Sequence, residues 1–288
     1  MPGSILLAMP FVVVLGSSAY QNFFWIGVLL NLVRRASRGA YAQFVIWMFL
    51  LGSPQILWEI ASGSDLLANT IFVTIFTALA TGALVQRGQE SGCRRGILYV
   101  ILGLTLSSRA NFLLGVPLVF GAMIRDQRFA EAAMRIGVAL TTFTLVTLPV
   151  YVYDPAHFAP LHAGNLLRGL GPSGMRLDVV YLALTAVVTL CLAWAVYRAR
   201  ADVLLSHAAV QFMIIIPPML SVLIGPQHAL ALRADDVSYL TMPSFYVFGY
   251  GIMPGVFIAL ALALRGPDAD TAALSTPPSP SVLSPLNA

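Results

Sequence analysis

The chain alternates long apolar runs with short polar connectors, and the runs have the length that a membrane imposes. A spanning helix needs about 20 apolar residues. Candidates read at Ile5–Leu32, Tyr41–Trp58, Leu66–Gln86, Ile97–Ile124, Ile136–Tyr153, Val179–Tyr197, Val203–Ile224 and Pro243–Leu264. Strand alternation is absent, and within lipid a helix satisfies all of its own backbone groups. The pattern predicts an all-α fold: a polytopic integral membrane helix bundle of about 8–9 membrane segments, including one broken or re-entrant hairpin. These segments form a single domain over 1–264. From 265 to 288 the chain is Pro/Ser-rich without a core-forming pattern, which predicts a disordered cytoplasmic tail.

The run Ile97–Ile124 contains "LSSRANFLLGVPL", Leu106–Leu118. Arginine in the middle of a membrane helix costs roughly 2.5–3.5 kcal/mol on insertion scales. If the run crosses once, the connector arginines divide 9 to one side and 6 to the other. If the chain reverses at Ser107–Asn111, 12 lie on the cytoplasmic side and 3 outside (Arg168, Arg176, Arg233), with Arg109 at the tip. The reversal satisfies the positive-inside rule far better. Its limb Ile97–Ser107 would make a helix of about 16 Å, half a bilayer. That length predicts a re-entrant segment, or two short helices beside a polar cavity, because irregular backbone at membrane depth survives only in such settings. The competing account is that Arg109 snorkels or pairs with one carboxylate for assembly. "SSAYQNFFWIGVLLNLVRR" (Ser17–Arg35) echoes "SSRANFLLGVPLVFGAMIR" (Ser107–Arg125), which raises a second break near Ser17–Asn22.

Composition agrees with the pattern. The chain is 58% hydrophobic and 10% charged, with mean hydropathy +0.84, where soluble domains carry about a quarter charged residues. All 16 basic residues are arginine, scattered singly or in pairs, so the net charge of +4 does not point to nucleic acid. No Cys/His cluster has metal-site spacing, and no metal or cofactor is expected. Cys93 falls in a polar connector and Cys191 in an apolar run, which does not favour a disulfide. The first run lacks the basic flank and cleavage site of a signal peptide.

With the reversed topology, one side collects the polar chemistry: Glu59–Asp65, the tip at Arg109 and Asn111, the loop Asp154–Asp178 and Gly225–Met242. His157, His162 and His228 fall there and His207 does not. In "LGSPQILWEIASGSDLLANTIF", Pro54 can start a short helix, Gly63 and Ser64 can end it, and Asp65 can cap the next at Leu66. The functional reading of Asp65 is a carboxylate turned into the outer cavity. The loop after Asp154 is long enough to cover a site or to serve as a plain connector. His157 and His162 lack the spacing of a metal pair on a helix.

"SPQILWEIASGSDLL", a basic connector, "GILYVILGLTLSSRANFLLGVPLVFGAMIR" and "LPVYVYDPAHFAPLH" follow one another in an order that resembles the membrane half of bacterial GT-C type glycosyltransferases, over Leu51–His162. The resemblance implies sugar transfer from a polyprenyl-phosphate donor at the outer face of the bacterial inner membrane, with a carboxylate activating the acceptor hydroxyl. Asp65, Asp154 and His157 are the candidate bases. Arg109 and Asn111 are the candidate donor-phosphate ligands, since a guanidinium fork matches phosphate. Glu59 and His162 would line the outer cavity. Such enzymes usually hold their catalytic acid in a large outer loop after the first span, and nothing upstream of Ile5 can be that loop. The implied alternatives are a fragment, an inactive homologue, or a partner subunit supplying the missing part. An O-antigen type polymerase or ligase, a secondary transporter and a non-enzymatic membrane subunit are the competing readings.

Overall fold

The computed structural model describes residues 2–36, 40–84, 92–127, 129–153, 177–213, 215–216 and 251–265. Among them every element is helical and none is a strand. The order is α1 (Pro2–Leu15), α2 (Tyr20–Ala36), α3 (Ala40–Gly52), α4 (Pro54–Ser62), α5 (Leu66–Ala80), α6 (Gly92–Leu106), a 3₁₀ turn (Ala110–Gly115), α7 (Val116–Asp126), α8 (Phe129–Tyr153), α9 (Leu177–Arg198), α10 (Val203–Met213) and α11 (Ile252–Arg265).

Among the described residues, α8 and α9 are long and apolar enough to cross a membrane alone, and up to four spans exist if each bent helix pair counts as one. The outward faces are apolar: Val13 is 76% exposed, Leu145 69% and Leu190 62%. Apolar surface on this scale has no place in water, and with the spans it marks an integral membrane protein. Of the about 8–9 membrane segments expected, the described residues show two to four of spanning length, together with shorter apolar helices. Helices α5, α6, α7 and α11 have 15, 15, 11 and 14 residues, or about 16–22 Å, against a hydrocarbon core of about 30 Å.

The breaks have local causes. Ile5–Leu32 is not one straight helix: the chain bends by 112° between α1 and α2. Gly16 takes φ 75° there, and the Ser17 hydroxyl accepts from the Ala19 amide. The break coincides with the polar head expected at Ser17–Asn22. Tyr41–Trp58 also divides, bending by 75° between α3 and α4. The Ser53 hydroxyl accepts from the Ile56 amide and Pro54 opens α4, because a proline at the first helical position removes an amide that would lack a partner anyway. Gly63 ends α4 at φ 70°, and an added Cβ there would lie 3.0 Å from that of Ala19. Helix α5 stops at Ala80, short of Gln86, with Gly82 at φ 74° just beyond. Arg265, expected to begin the tail, instead ends α11 and pairs with Asp202 at 3.3 Å; 266–288 lie outside the described residues.

Helix directions follow from cross-contacts. Gly103 of α6 lies against Ala139 and Thr142 of α8, and Arg135 stacks its guanidinium 5.7 Å from the Tyr99 ring centre. Residue numbers rise together, so α6 and α8 run parallel. The chain must therefore return between them, and the 3₁₀ turn and α7 do this. Leu98 and Tyr99 near the start of α6 and Arg125 and Asp126 at the end of α7 line one cleft of about 810 Å³. The ends of α5 and α11 and the α9–α10 turn line it too. Arg109, at the reversal, lies at the opposite end of α5, beside Asp65. Helix α5 is the centre of the bundle, with 13 of its 15 residues buried. Beyond Thr142, where α6 is ending, α8 runs on to Tyr153, about 16 Å further.

Candidate functional site

The turn after α6 holds Arg109 in an extended conformation (φ −151°, ψ 130°) as the residue before the 3₁₀ turn. Its Nη2 donates to Asp65 Oδ1 at 3.0 Å. The other oxygen, Oδ2, accepts from Asn69 Nδ2 at 2.8 Å, one helical turn along α5. Asp65 thus occupies the N-cap position of α5, as expected, but makes no side-chain capping bond: both carboxylate oxygens are taken by Arg109 and Asn69. The Arg109 and Asp65 side chains keep 28% and 39% of their surface exposed, so the pair is accessible from outside the bundle.

Asn22 ties the surrounding segments together. Its Nδ2 donates to the carbonyls of Glu59 (3.2 Å) and Ser64 (3.0 Å), and its Oδ1 accepts from the Ala68 amide (3.1 Å). One amide thereby fixes α2, the α4–α5 connector and the first turn of α5, which carries Asp65. It is fully buried. Asn22→Ala would strand a buried amide and remove two donors, an expected loss of about 1–3 kcal/mol. Thermal melts of the detergent-purified protein check this; a midpoint equal to the parent's would show that the network contributes nothing.

Around this frame several buried polar atoms find no hydrogen-bond partner among the described residues: Gln21 Nε2 and Oε1, Glu59 Oε2, Asn69 Oδ1, Ser108 Oγ and Arg109 Nε. Each belongs to a residue in the network or next to one. Buried polar groups are nearly always satisfied, and unsatisfied ones call for a specific explanation.

Asn111, two residues after Arg109, turns another way. Its Nδ2 lies 3.3 Å from Gln211 Oε1 and 3.0 Å from Met253 Sδ. One turn before Gln211 on α10, His207 stacks on Phe257 at 4.1 Å and fills the space left by Gly115, where a Cβ would sit 2.0 Å from its Cε1. His207 is 1% exposed, and neither ring nitrogen has a partner among the described residues.

The structure therefore brings Asp65 and Arg109 into contact and ties Glu59, 2% exposed in α4, to the same frame through its backbone carbonyl and Asn22. It commits Asn111 to the α10–α11 side, so Arg109 and Asn111 do not form one anion cradle through the contacts observed. Asp154, His157 and His162 lie outside the described residues. Sequence reading missed Gln21, Asn22, Asn69 and Gln211. The available signal was the four-residue spacing of Asp65 and Asn69, which puts both on one face of α5.

No protein-family model, curated protein or solved structure matches the chain.

Proposed function

We propose that this chain is a glycosyltransferase of the bacterial inner membrane, or a relative of one, that takes a sugar from a polyprenyl-phosphate donor. The observation that carries the reading is the set of unsatisfied hydrogen-bonding atoms around Asp65–Arg109, on a reversal of the chain beside α8. Amide, carboxylate and hydroxyl groups with spare valence are what a sugar's hydroxyls require. Arg109, its side chain 28% exposed beside Asp65 and its buried Nε without a partner, supplies the guanidinium for the phosphate. In the reaction, the acceptor oxygen attacks the anomeric carbon, and the carbon–oxygen bond to phosphate breaks with its electron pair leaving on the prenyl phosphate. The acceptor proton passes to a base. Of the described carboxylates here, Asp65 has both oxygens engaged, whereas Glu59 Oε2 is uncommitted; Asp154 and His157 remain the other candidates. The deciding experiment incubates the full chain in nanodiscs with a radiolabelled polyprenyl-phosphate sugar. Binding that Glu59→Gln leaves intact while transfer is lost supports the reading; no binding by the parent sinks it.

The topology belongs to the same proposal: the arginine-rich end faces the cytoplasm and the Asp65–Arg109 end opens outward. With α8 spanning, the Arg109 turn sits near mid-depth, roughly 20 Å from the inner end of α8 and 16 Å from its outer end. Cysteines placed at Asp126 and Asp154 should label from opposite sides, Asp126 from the cytoplasm. Labelling of both from the same side refutes this orientation.

A secondary transporter is the second reading, favoured by the buried His207 and Gln211 on α10, since ionisable and polar residues inside a bundle mark transport pathways. Substrate-dependent flux in proteoliposomes, without sugar transfer, would select it.

A further inference from the structure

The 810 Å³ cleft at the arginine-rich end plays no part in the proposed transfer, and its lining is charged. Four arginines are among its lining residues: Arg125, Arg135, Arg200 and Arg265. Three have carboxylate partners, Arg125 with Asp126 (2.9 Å), Arg135 with Glu131 (3.6 Å) and Arg265 with Asp202 (3.3 Å). Asp202 is doubly used, because its other oxygen caps α10 by accepting from the Leu204 and Leu205 amides. Arg200 makes no hydrogen bond or ion pair among the described residues.

Arg200 is also the one non-glycine residue with positive φ among those described, at 55°. The tight turn from α9 into α10 needs a left-handed residue, and glycine or asparagine fills such a position at least cost. An arginine there is not explained by the backbone. Strain of this kind points to a use for the side chain. Nearby Arg198 shows the contrast: it stacks on Trp194 and Tyr197, at 5.1 and 5.7 Å from their ring centres, and is absent from the cleft lining.

The geometry points to a phosphate-binding site in this cleft, with Arg200 as the unneutralised cation and the paired Arg125, Arg135 and Arg265 around it. A guanidinium binds phosphate through two parallel N–H donors. The mixed lining also suits a group in which phosphate stands beside a second polar function, as in a phospholipid headgroup. A basic recess at the cytoplasmic ends of membrane helices is where such headgroups are met, and a soluble phosphate would use the same chemistry. The inference does not depend on the glycosyl-transfer reading, because its site is at the other end of the bundle.

The test uses the full chain in neutral detergent micelles, with thermal melting as readout. Three additions are compared: inorganic phosphate, phosphatidylglycerol, and diacylglycerol as the phosphate-free lipid. The melting midpoint should rise with a phosphate-bearing addition and stay unchanged with diacylglycerol. A rise with phosphatidylglycerol alone assigns the site to a lipid headgroup; a full rise with inorganic phosphate assigns it to a soluble phosphate. Arg200→Asn keeps a residue at home with positive φ and removes the charge. Its midpoint without additions should match the parent's, while its apparent affinity for the effective ligand falls about tenfold, the loss of one charge-assisted hydrogen bond. Arg198→Ala should bind as the parent does. No rise with either phosphate source, or equal affinity in Arg200→Asn, overturns the assignment.

Discussion

Arg109→Lys is expected to fold as the parent does and to lose most of its affinity for a polyprenyl-phosphate ligand. Lysine keeps the positive charge and reaches a carboxylate, so the link to Asp65 survives. It lacks the planar fork, and with it the Nε edge that the ion pair leaves uncommitted. The expected loss of binding is about tenfold or more, the value of one bidentate contact. Arg109→Ala should lose binding equally and also destabilise the protein by about 1.5–3 kcal/mol, since Asp65 forfeits a charge-assisted bond while Asn69 still holds its second oxygen. Ligand titrations and thermal melts on the three proteins separate the two contributions. A purely structural pair predicts that Arg109→Lys binds normally. That result would reduce the turn at "SSRAN" to an assembly feature.

The second large effect concerns the parallel contact of α6 with α8. An alanine Cβ at Gly103 would stand 2.2 Å from the Ala139 carbonyl oxygen and 2.7 Å from Thr142 Cβ. A backbone oxygen cannot swing aside, so the helices must separate along the contact that sets the height of the Arg109 turn. Gly103→Ala should cost about 1–3 kcal/mol and Gly103→Val more. Gly137, also on α8, has nothing within 4 Å of its would-be Cβ, and Gly137→Ala should be neutral or stabilising by up to about 1 kcal/mol. Parallel melts decide it. Equal stability of Gly103→Ala and Gly137→Ala would mean that α6 and α8 are not packed this closely.

Much of this was legible before any coordinates. The reversal near Arg109 followed from arginine bias, and the α4 boundaries from Pro54 and Gly63, because each rests on local chemistry that tertiary contacts seldom override. A pairing of Arg109 with one carboxylate stood among the sequence readings as the structural alternative, and the structure shows that carboxylate to be Asp65. Helix length was less legible. Leu66–Gln86 is uncharged and mostly apolar, yet α5 stops at Ala80, where Thr81 turns its hydroxyl back to the Thr77 carbonyl and Gly82 takes the left-handed conformation. Hydropathy registers what lipid tolerates and carries no signal for where a buried helix ends. The polar network was hidden for a related reason. Asn22 and Gln21 read as the frayed head of a span, and only the fold of α2 against α4 and α5 reveals them as buried. Asn111 meets Gln211 across 100 residues of sequence, a distance at which periodicity carries no information.

The disparity in helix length also constrains how the protein is made. A segment leaves the translocon for lipid on the strength of its own length and hydropathy. Among the described residues, α8 is preceded by two bent pairs, which reach spanning length only if each pair counts as one, and by α5, α6 and α7, each too short to span alone. Among the described residues α8 is an unbroken segment long enough to commit by itself, and Gly103 of α6 packs directly against it. Synthesis of α8 should therefore be the step after which α6, packed along it, becomes protected from membrane proteases.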